Sequence, residues 1–175
     1  HRTGDEVCYY ANFLPRTKHK PYYTLTFTVT FTHADDTCYL AHCYPYTYTD
    51  LQRKLKGLQE DSERAKVTRR EVLCTTLAGN RCDLLTITNF PDAELDSQSI
   101  FAGKRGKRKR AVLLSARVHP GETNASWMMD GLIDALTANT ERAASLRDDF
   151  VFVVVPMLNP DGVINGNHRT NLQGL

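Results

Sequence analysis

Two short, uninterrupted apolar runs most restrict what this chain can become: Ala111-Val112-Leu113-Leu114-Ser115-Ala116 and the run from Phe150 to Val155. Each is the length of a strand buried on both faces, and the residues between them, 124–138, read as a helix. Strand, helix, strand is the βαβ signature, so this half is expected to form a parallel sheet with helices on its faces. A short helical turn over 143–147 precedes the second run. The carboxyl end of such a strand is where open α/β sheets place their sites. The residues just past each run therefore carry the functional argument.

Ahead of this unit the pattern is different. Over Tyr22 to Thr32 the apolar Leu25, Phe27, Val29 and Phe31 alternate with threonines, the period of a half-buried strand whose outer face is threonine. The turn His33-Ala34-Asp35-Asp36 and the run 37–42 predict a second strand antiparallel to it. Together they define a β-rich, β-sandwich-like N-terminal domain. A helix follows, N-capped by Thr47 or Thr49, with Leu51, Leu55 and Leu58 on one face and its end near Asp61. Residues 71–77 and 83–88 read as a hairpin around Gly79 and Asn80. The domain boundary is placed between 61 and 71, giving a β-rich domain over 1–65 and the start of an α/β domain over 66–175. With two or three parallel strands laid down, too few to bury both faces of a sheet, the second domain reads as truncated.

Composition excludes some classes. The 41% hydrophobic content supports a core, yet no apolar stretch approaches the roughly 20 residues of a membrane span, and the first residues lack a secretory signal. Cys8, Cys38, Cys43, Cys74 and Cys82 show no CxxC spacing, and several sit in strand-like runs suited to a small buried thiol, which favours a reducing compartment. The net charge of +2 hides a local run, Lys104, Arg105, Lys107, Arg108, Lys109 and Arg110; removing these six takes the balance to −4. Such a run is read first as a solvated insertion. It could also steer acidic ligands or serve nuclear localisation, but no interleaved aromatics mark a base-stacking surface.

The sharpest motif is Arg117-Val118-His119-Pro120-Gly121-Glu122-Thr123-Asn124, between a buried strand and a helix. An imidazole and a carboxylate are both good Zn²⁺ ligands, and a Pro-Gly turn lets side chains three apart converge on one ion. A plainer reading makes Pro120-Gly121 a helix start with Glu122 at its positive end. A second motif, Pro156-Met157-Leu158-Asn159-Pro160-Asp161-Gly162, follows the next strand and would lie beside the first at the same sheet edge. The pair together is specific.

HPGE, a helix, and a strand ending in NPDG resemble the M14-type metallocarboxypeptidases. Tyr44-Pro45-Tyr46-Thr47-Tyr48 and the continuation Asn165-Gly166-Asn167-His168-Arg169 narrow the resemblance to the cytosolic carboxypeptidases, along most of the chain. The resemblance implies one Zn²⁺ held by His119 and Glu122, and Arg169 as the catalytic and substrate-binding arginine that polarises the scissile carbonyl. His168 is not taken as a ligand. The third ligand, the glutamate general base and the Asn-Arg pair that would grip a terminal carboxylate are expected beyond residue 175, so these residues alone are expected to be inactive. The implied activity is removal of C-terminal or side-chain glutamates from polyglutamylated proteins such as tubulin. The implied location is the cytoplasm, with microtubule association or a nuclear site as variants. No membrane partner is expected, and nucleic acid is not the expected partner. The rival class is a noncatalytic binding module for acidic tails on a degenerate peptidase fold. The three tyrosines are expected to seal a domain interface.

Overall fold

A computed structural model describes residues 5–13, 22–41, 43–91, 99–103 and 108–175, and the chain divides into two compact units, His1–Leu40 and Ala41–Leu175. In the first unit β1 (Asp5–Ala11) pairs antiparallel with β2 (Tyr23–Thr28), with Tyr9 opposite Leu25. The predicted alternating strand is present over Tyr23–Thr28 but does not run to Thr32, its apolar Leu25 and Phe27 are exposed rather than buried, and its partner is not the run 37–42. Residues 37–41 carry no strand and His42 lies outside the described residues. The competing partner wins with aromatic contacts: Tyr9 stacks on Tyr23 with ring centroids 5.1 Å apart. Among the described residues this unit holds a two-stranded sheet, not a second layer that would make it a sandwich.

In the second unit α1 (Tyr48–Glu60) starts at Thr47, whose hydroxyl caps the Asp50 amide while the Asp50 carboxylate takes the Thr47 amide. Asp61 then serves as N-cap for α2 (Ser62–Val67), accepting from the amides of Glu63 and Arg64. That short helix was not expected. The hairpin of β3 (Thr68–Thr75) and β4 (Arg81–Ile87) turns at Gly79, whose φ of +81° suits a residue without Cβ. A single 3₁₀ turn (Ser99–Phe101) precedes β5 (Arg110–Ser115), α3 (Thr123–Thr137), α4 (Glu141–Asp149), β6 (Phe150–Val155) and α5 (Pro160–Asn165).

The strand order is β3-β4-β6-β5. β5 and β6 run parallel, in register from Arg110 opposite Phe150 to Ser115 opposite Val155, as the βαβ pattern predicts. The sheet as a whole is mixed rather than parallel, because the hairpin's second strand joins β6 antiparallel, with Leu85 opposite Val154.

The expected boundary near residue 65 moves towards the N-terminus. Leu51, Leu55 and Leu58 of α1 pack in one core with Leu85, Ile87, Met129, Ile133, Leu136, Phe152, Val154 and Met157. α1 thus belongs to the α/β unit, because its apolar stripe is buried there and not on the β1–β2 sheet. A buried ion pair, Arg70 Nε to Asp83 Oδ1 at 2.9 Å, joins β3 to β4, and Gln52 of α1 donates to the same carboxylate across 2.7 Å. Tyr46 and Tyr48 pack within the unit, whereas Tyr44 does not. Tyr46 is buried edge-on to Trp127 and its hydroxyl donates to Asp130, Tyr48 donates to the Arg81 carbonyl, and Tyr44 is exposed.

The basic run is not uniformly solvated. Residues 104–107 lie outside the described residues, but Lys109 is buried, its ammonium donating to Thr88 Oγ1 at 2.9 Å and to the Asn89 carbonyl at 2.5 Å. Arg110 lies over the Phe150 ring, 4.5 Å from its centroid. Of the cysteines, Cys82 is buried whereas Cys8, Cys38 and Cys74 are exposed, so the expectation of several buried thiols holds at one position. No helix among the described residues is long and apolar enough to cross a membrane.

Candidate metal centre

β5 and β6 end side by side, and the chain leaving each is tied to the other. The Ala116 amide donates to the Val155 carbonyl, the Leu158 amide to the Ala116 carbonyl, and the Asn159 amide to the Arg117 carbonyl. The HPGE turn and the NPDG motif thus lie together at the carboxyl edge of the parallel pair, where the sequence placed them.

Asn159 is the pin of this edge. Its side-chain amide donates to the Val118 carbonyl at 3.2 Å and the Thr170 carbonyl at 3.4 Å, while its Oδ1 caps α5 through the Gly162 amide. Asp161, nearly fully buried, reaches the other way to the β3–β4 turn, accepting from Thr76 Oγ1 at 2.6 Å, Asn80 Nδ2 at 2.8 Å and the Ala78 amide at 3.1 Å. Burial pushes its pKa up, but those donors outweigh burial and hold it below the ordinary carboxylate value.

Arg117 shapes the turn from beneath. It adopts φ +59°, a left-handed conformation rare for a residue with a Cβ. Its guanidinium is buried, with Nε donating to the Pro120 carbonyl at 2.8 Å and Nη1 to the Tyr46 carbonyl and Ser126 Oγ at 3.1 and 2.8 Å. Burial lowers its pKa from the usual arginine value, partly opposed by Cys43 and Tyr46. Sequence reasoning missed this role. The signal available was an arginine immediately after an apolar run, but its backbone conformation is not legible from residue types.

On this support the three predicted site residues meet. His119 Nδ1 lies 3.1 Å from Glu122 Oε1, Arg169 Nη2 lies 3.1 Å from His119 Nε2, and Arg169 Nη1 lies 3.5 Å from Glu122 Oε1. All three are partly open to solvent, at 34%, 46% and 61% side-chain exposure for His119, Glu122 and Arg169. Arg169 is brought in by the irregular segment after α5, which is held against the turn by the Gly121 amide donating to the His168 carbonyl. The cavity beside them is about 680 Å³, lined by His119, Asn159, Arg169 and Asn171 among others.

The donor set fits zinc as part of a site. Two ligand atoms each about 2.1 Å from a tetrahedral ion lie roughly 3.4 Å apart, and Nδ1 and Oε1 stand 3.1 Å apart. Among the described residues no third His, Cys, Asp or Glu joins them. His168, whose carbonyl accepts from the Gly121 amide, is not part of such a group.

A fold with this edge and this donor pair defines a zinc-dependent carboxypeptidase domain. The family model for zinc carboxypeptidases matches residues 32–174, and the chain belongs to that M14 peptidase family. Human cytosolic carboxypeptidase 1 is 48% identical over 181 residues, covering 99% of this chain and 14% of the relative. Bovine cytosolic carboxypeptidase 3 is also 48% identical, over 173 residues, covering 99% and 16%. The chain thus spans about a seventh of the length of these relatives. Among solved structures, a metallo-carboxypeptidase from Burkholderia cenocepacia superposes with a TM-score of 0.59 at 30% identity, covering 75% of this chain and 31% of that one. One from Pseudomonas aeruginosa, in complex with (2-guanidinoethylmercapto)succinic acid, gives 0.56 at 27%, covering 75% and 30%.

Proposed function

We propose that this chain supplies the first two zinc ligands and the catalytic arginine of a cytoplasmic metallocarboxypeptidase that removes glutamates from polyglutamylated proteins, tubulin tails among them. The observation that carries the reading is the convergence of His119, Glu122 and Arg169 within 3.5 Å at the carboxyl edge of β5 and β6. The substrate class rests on similarity to the cytosolic carboxypeptidases, and the Pseudomonas relative's diacid ligand supports a site that receives carboxylates. The third zinc ligand and a general base come, in this reading, from outside residues 1–175, and β1 and β2 belong to a β-rich domain ahead of the peptidase.

His119 and Glu122 would hold the metal through Nδ1 and Oε1. Bound zinc supplies Lewis acidity, lowering the pKa of water and polarising a carbonyl. Arg169 then contributes what a fixed cation can: it donates to the carbonyl oxygen as negative charge builds there, a contact stronger in the transition state than in the ground state. Asn159 and Arg117 keep the two chain segments in place, so little reorganisation is needed as that charge develops.

The test compares the intact protein with its His119→Ala, Glu122→Ala and Arg169→Ala variants for zinc content and for glutamate release from a polyglutamylated peptide. The intact protein is expected to hold about one zinc and release glutamate. The two ligand variants should lose both properties, while Arg169→Ala keeps zinc and loses roughly 10²–10³ in kcat. An intact protein that binds acidic peptide with neither zinc nor cleavage would overturn the enzyme reading in favour of a binding module.

A further inference from the structure

The hairpin of β3 and β4 carries a cysteine on each strand, and the two stand opposite one another: Cys74 is the Cα partner of Cys82. A bulge sets this pairing. From Thr68 opposite Ile87 to Val72 opposite Asp83 the strands advance in step, a register that would bring Leu73 opposite Cys82 and Cys74 opposite Arg81. The shift between Val72 and Cys74 absorbs Leu73 as the extra residue and moves Cys74 onto Cys82. Residues directly opposite in an antiparallel pair point to one face of the sheet, so the two thiols share a face.

The spacing suits a bond between them. Opposed residues of an antiparallel pair have Cα atoms about 4.5 or 5.5 Å apart, depending on whether they exchange hydrogen bonds. Both values fall inside the roughly 4.4–6.8 Å that a disulfide spans. The thiols already act on each other: burial first, and then Cys74, push the Cys82 pKa up to about 11.

Their surroundings differ. Cys82 is 2% exposed and its Sγ donates to the Met157 carbonyl at 3.5 Å. Cys74 is exposed, on the strand that ends the sheet among the described residues, where a thiol gains nothing from packing. An oxidant arriving from water therefore meets Cys74 before Cys82.

We propose that Cys74 and Cys82 form a reversible oxidation site, closed to a cross-strand disulfide by hydrogen peroxide. The Cys74 thiolate attacks one peroxide oxygen, which leaves Cys74 as a sulfenic acid and releases hydroxide; that hydroxide takes up the proton Cys74 had shed and becomes water. The Cys82 sulfur then attacks the Cys74 sulfur. An S–S bond forms, the S–O bond breaks, and the Cys82 proton leaves with the hydroxide as a second water. The two thiols together lose two electrons, which reduce the peroxide, and exchange with a small dithiol restores both. A reducing compartment keeps such a pair open at rest and makes the bond transient. Closure also removes the proton that Cys82 gives to the Met157 carbonyl, two residues before Asn159, so oxidation is felt where the chain enters the NPDG edge. The proposal does not depend on the glutamate-removing reading, since its readout is the chemical state of two sulfurs.

The experiment titrates the intact protein with hydrogen peroxide, blocks the remaining thiols with N-ethylmaleimide, and maps the cysteines by mass spectrometry after trypsin. Cleavage after Arg81 separates Cys74 from Cys82 unless they are joined. A peptide pair linked through these two residues, abolished by dithiothreitol, is expected as the first disulfide to appear. Cys82→Ser keeps a small donor but removes the second sulfur, and should raise dimedone labelling of Cys74 at least about fivefold over wild type, because the sulfenic acid can no longer be resolved. Cys74→Ser should leave Cys82 alkylated and unlinked at the same peroxide dose. The wild-type map is decisive even if a variant fails to fold. First disulfides that join Cys8, Cys38 or Cys43 while Cys74 and Cys82 stay alkylated overturn the proposal, as does a Cys74 that passes to sulfinic acid in the wild type without the link.

Discussion

The amide of Gly121 donates to the carbonyl of His168 across 2.7 Å, and the two backbones approach so closely that a Cβ on Gly121 would stand 2.7 Å from that carbonyl oxygen and closer still to the His168 ring. The turn bearing His119 and Glu122 and the segment bearing Arg169 are thus fastened at a point that admits no side chain. Replacing Gly121 by alanine sets a methyl group against backbone. Overpacking of this kind costs about 1–3 kcal/mol, and separating the two segments should also loosen zinc. Denaturant unfolding and zinc content of Gly121→Ala check this; a variant as stable as wild type with full zinc would show that the fastening is dispensable.

Asp161 makes stability depend on acid. Its folded pKa lies below the unfolded value of about 3.9, so its contribution is present above that value and is lost as pH falls through the folded pKa. Asp161→Asn should lower stability at neutral pH, since a carboxylate accepting from Thr76, Ala78 and Asn80 is replaced by an amide that must present N–H groups to some of those donors. It should also flatten the decline below about pH 4. Melting temperatures from pH 7 to 2 distinguish the two proteins, and parallel curves would contradict the assignment.

Leu55 is fully buried in the core that joins α1 to the sheet. Leu55→Ala should destabilise the α/β unit by about 2–5 kcal/mol. Near-silence in the unfolding of that unit would return α1 to a separate N-terminal module.

How much of this was readable from residue types depends on how local the cause was. The α1 stripe, the capping residue Thr47 and the strands bracketing α3 follow from spacing and capping chemistry within a turn or two, and the structure has them. The placement of His119 and Glu122 followed from a strand end and a Pro-Gly turn, and their meeting with Arg169 followed from the family resemblance. The non-local choices were not legible. β1 reads Asp-Glu-Val-Cys-Tyr-Tyr-Ala without clean alternation, so its claim on β2 shows only as ring stacking. The antiparallel union of β4 with β6 is a choice between sheet edges that neither strand's pattern encodes. Lys109 was read as one charge in a solvated run, although its partners Thr88 and Asn89 lie about twenty residues away in the chain. Arg117 and Asp161 were visible as letters of motifs, but what they hold was not.

The reach of those polar contacts bears on the order in which the molecule assembles. Asp161 closes on Thr76 across 85 residues, Arg117 on Tyr46 across 71 and Arg169 on His119 across 50, whereas α3 can form from its own neighbours. Chain-closure entropy must be met before contacts so distant give any return. The core that seats Leu51 and Leu55 beside Val154 and Met157 spans as much chain, so site and core draw on the same long-range closures, and a change that delays one delays the other.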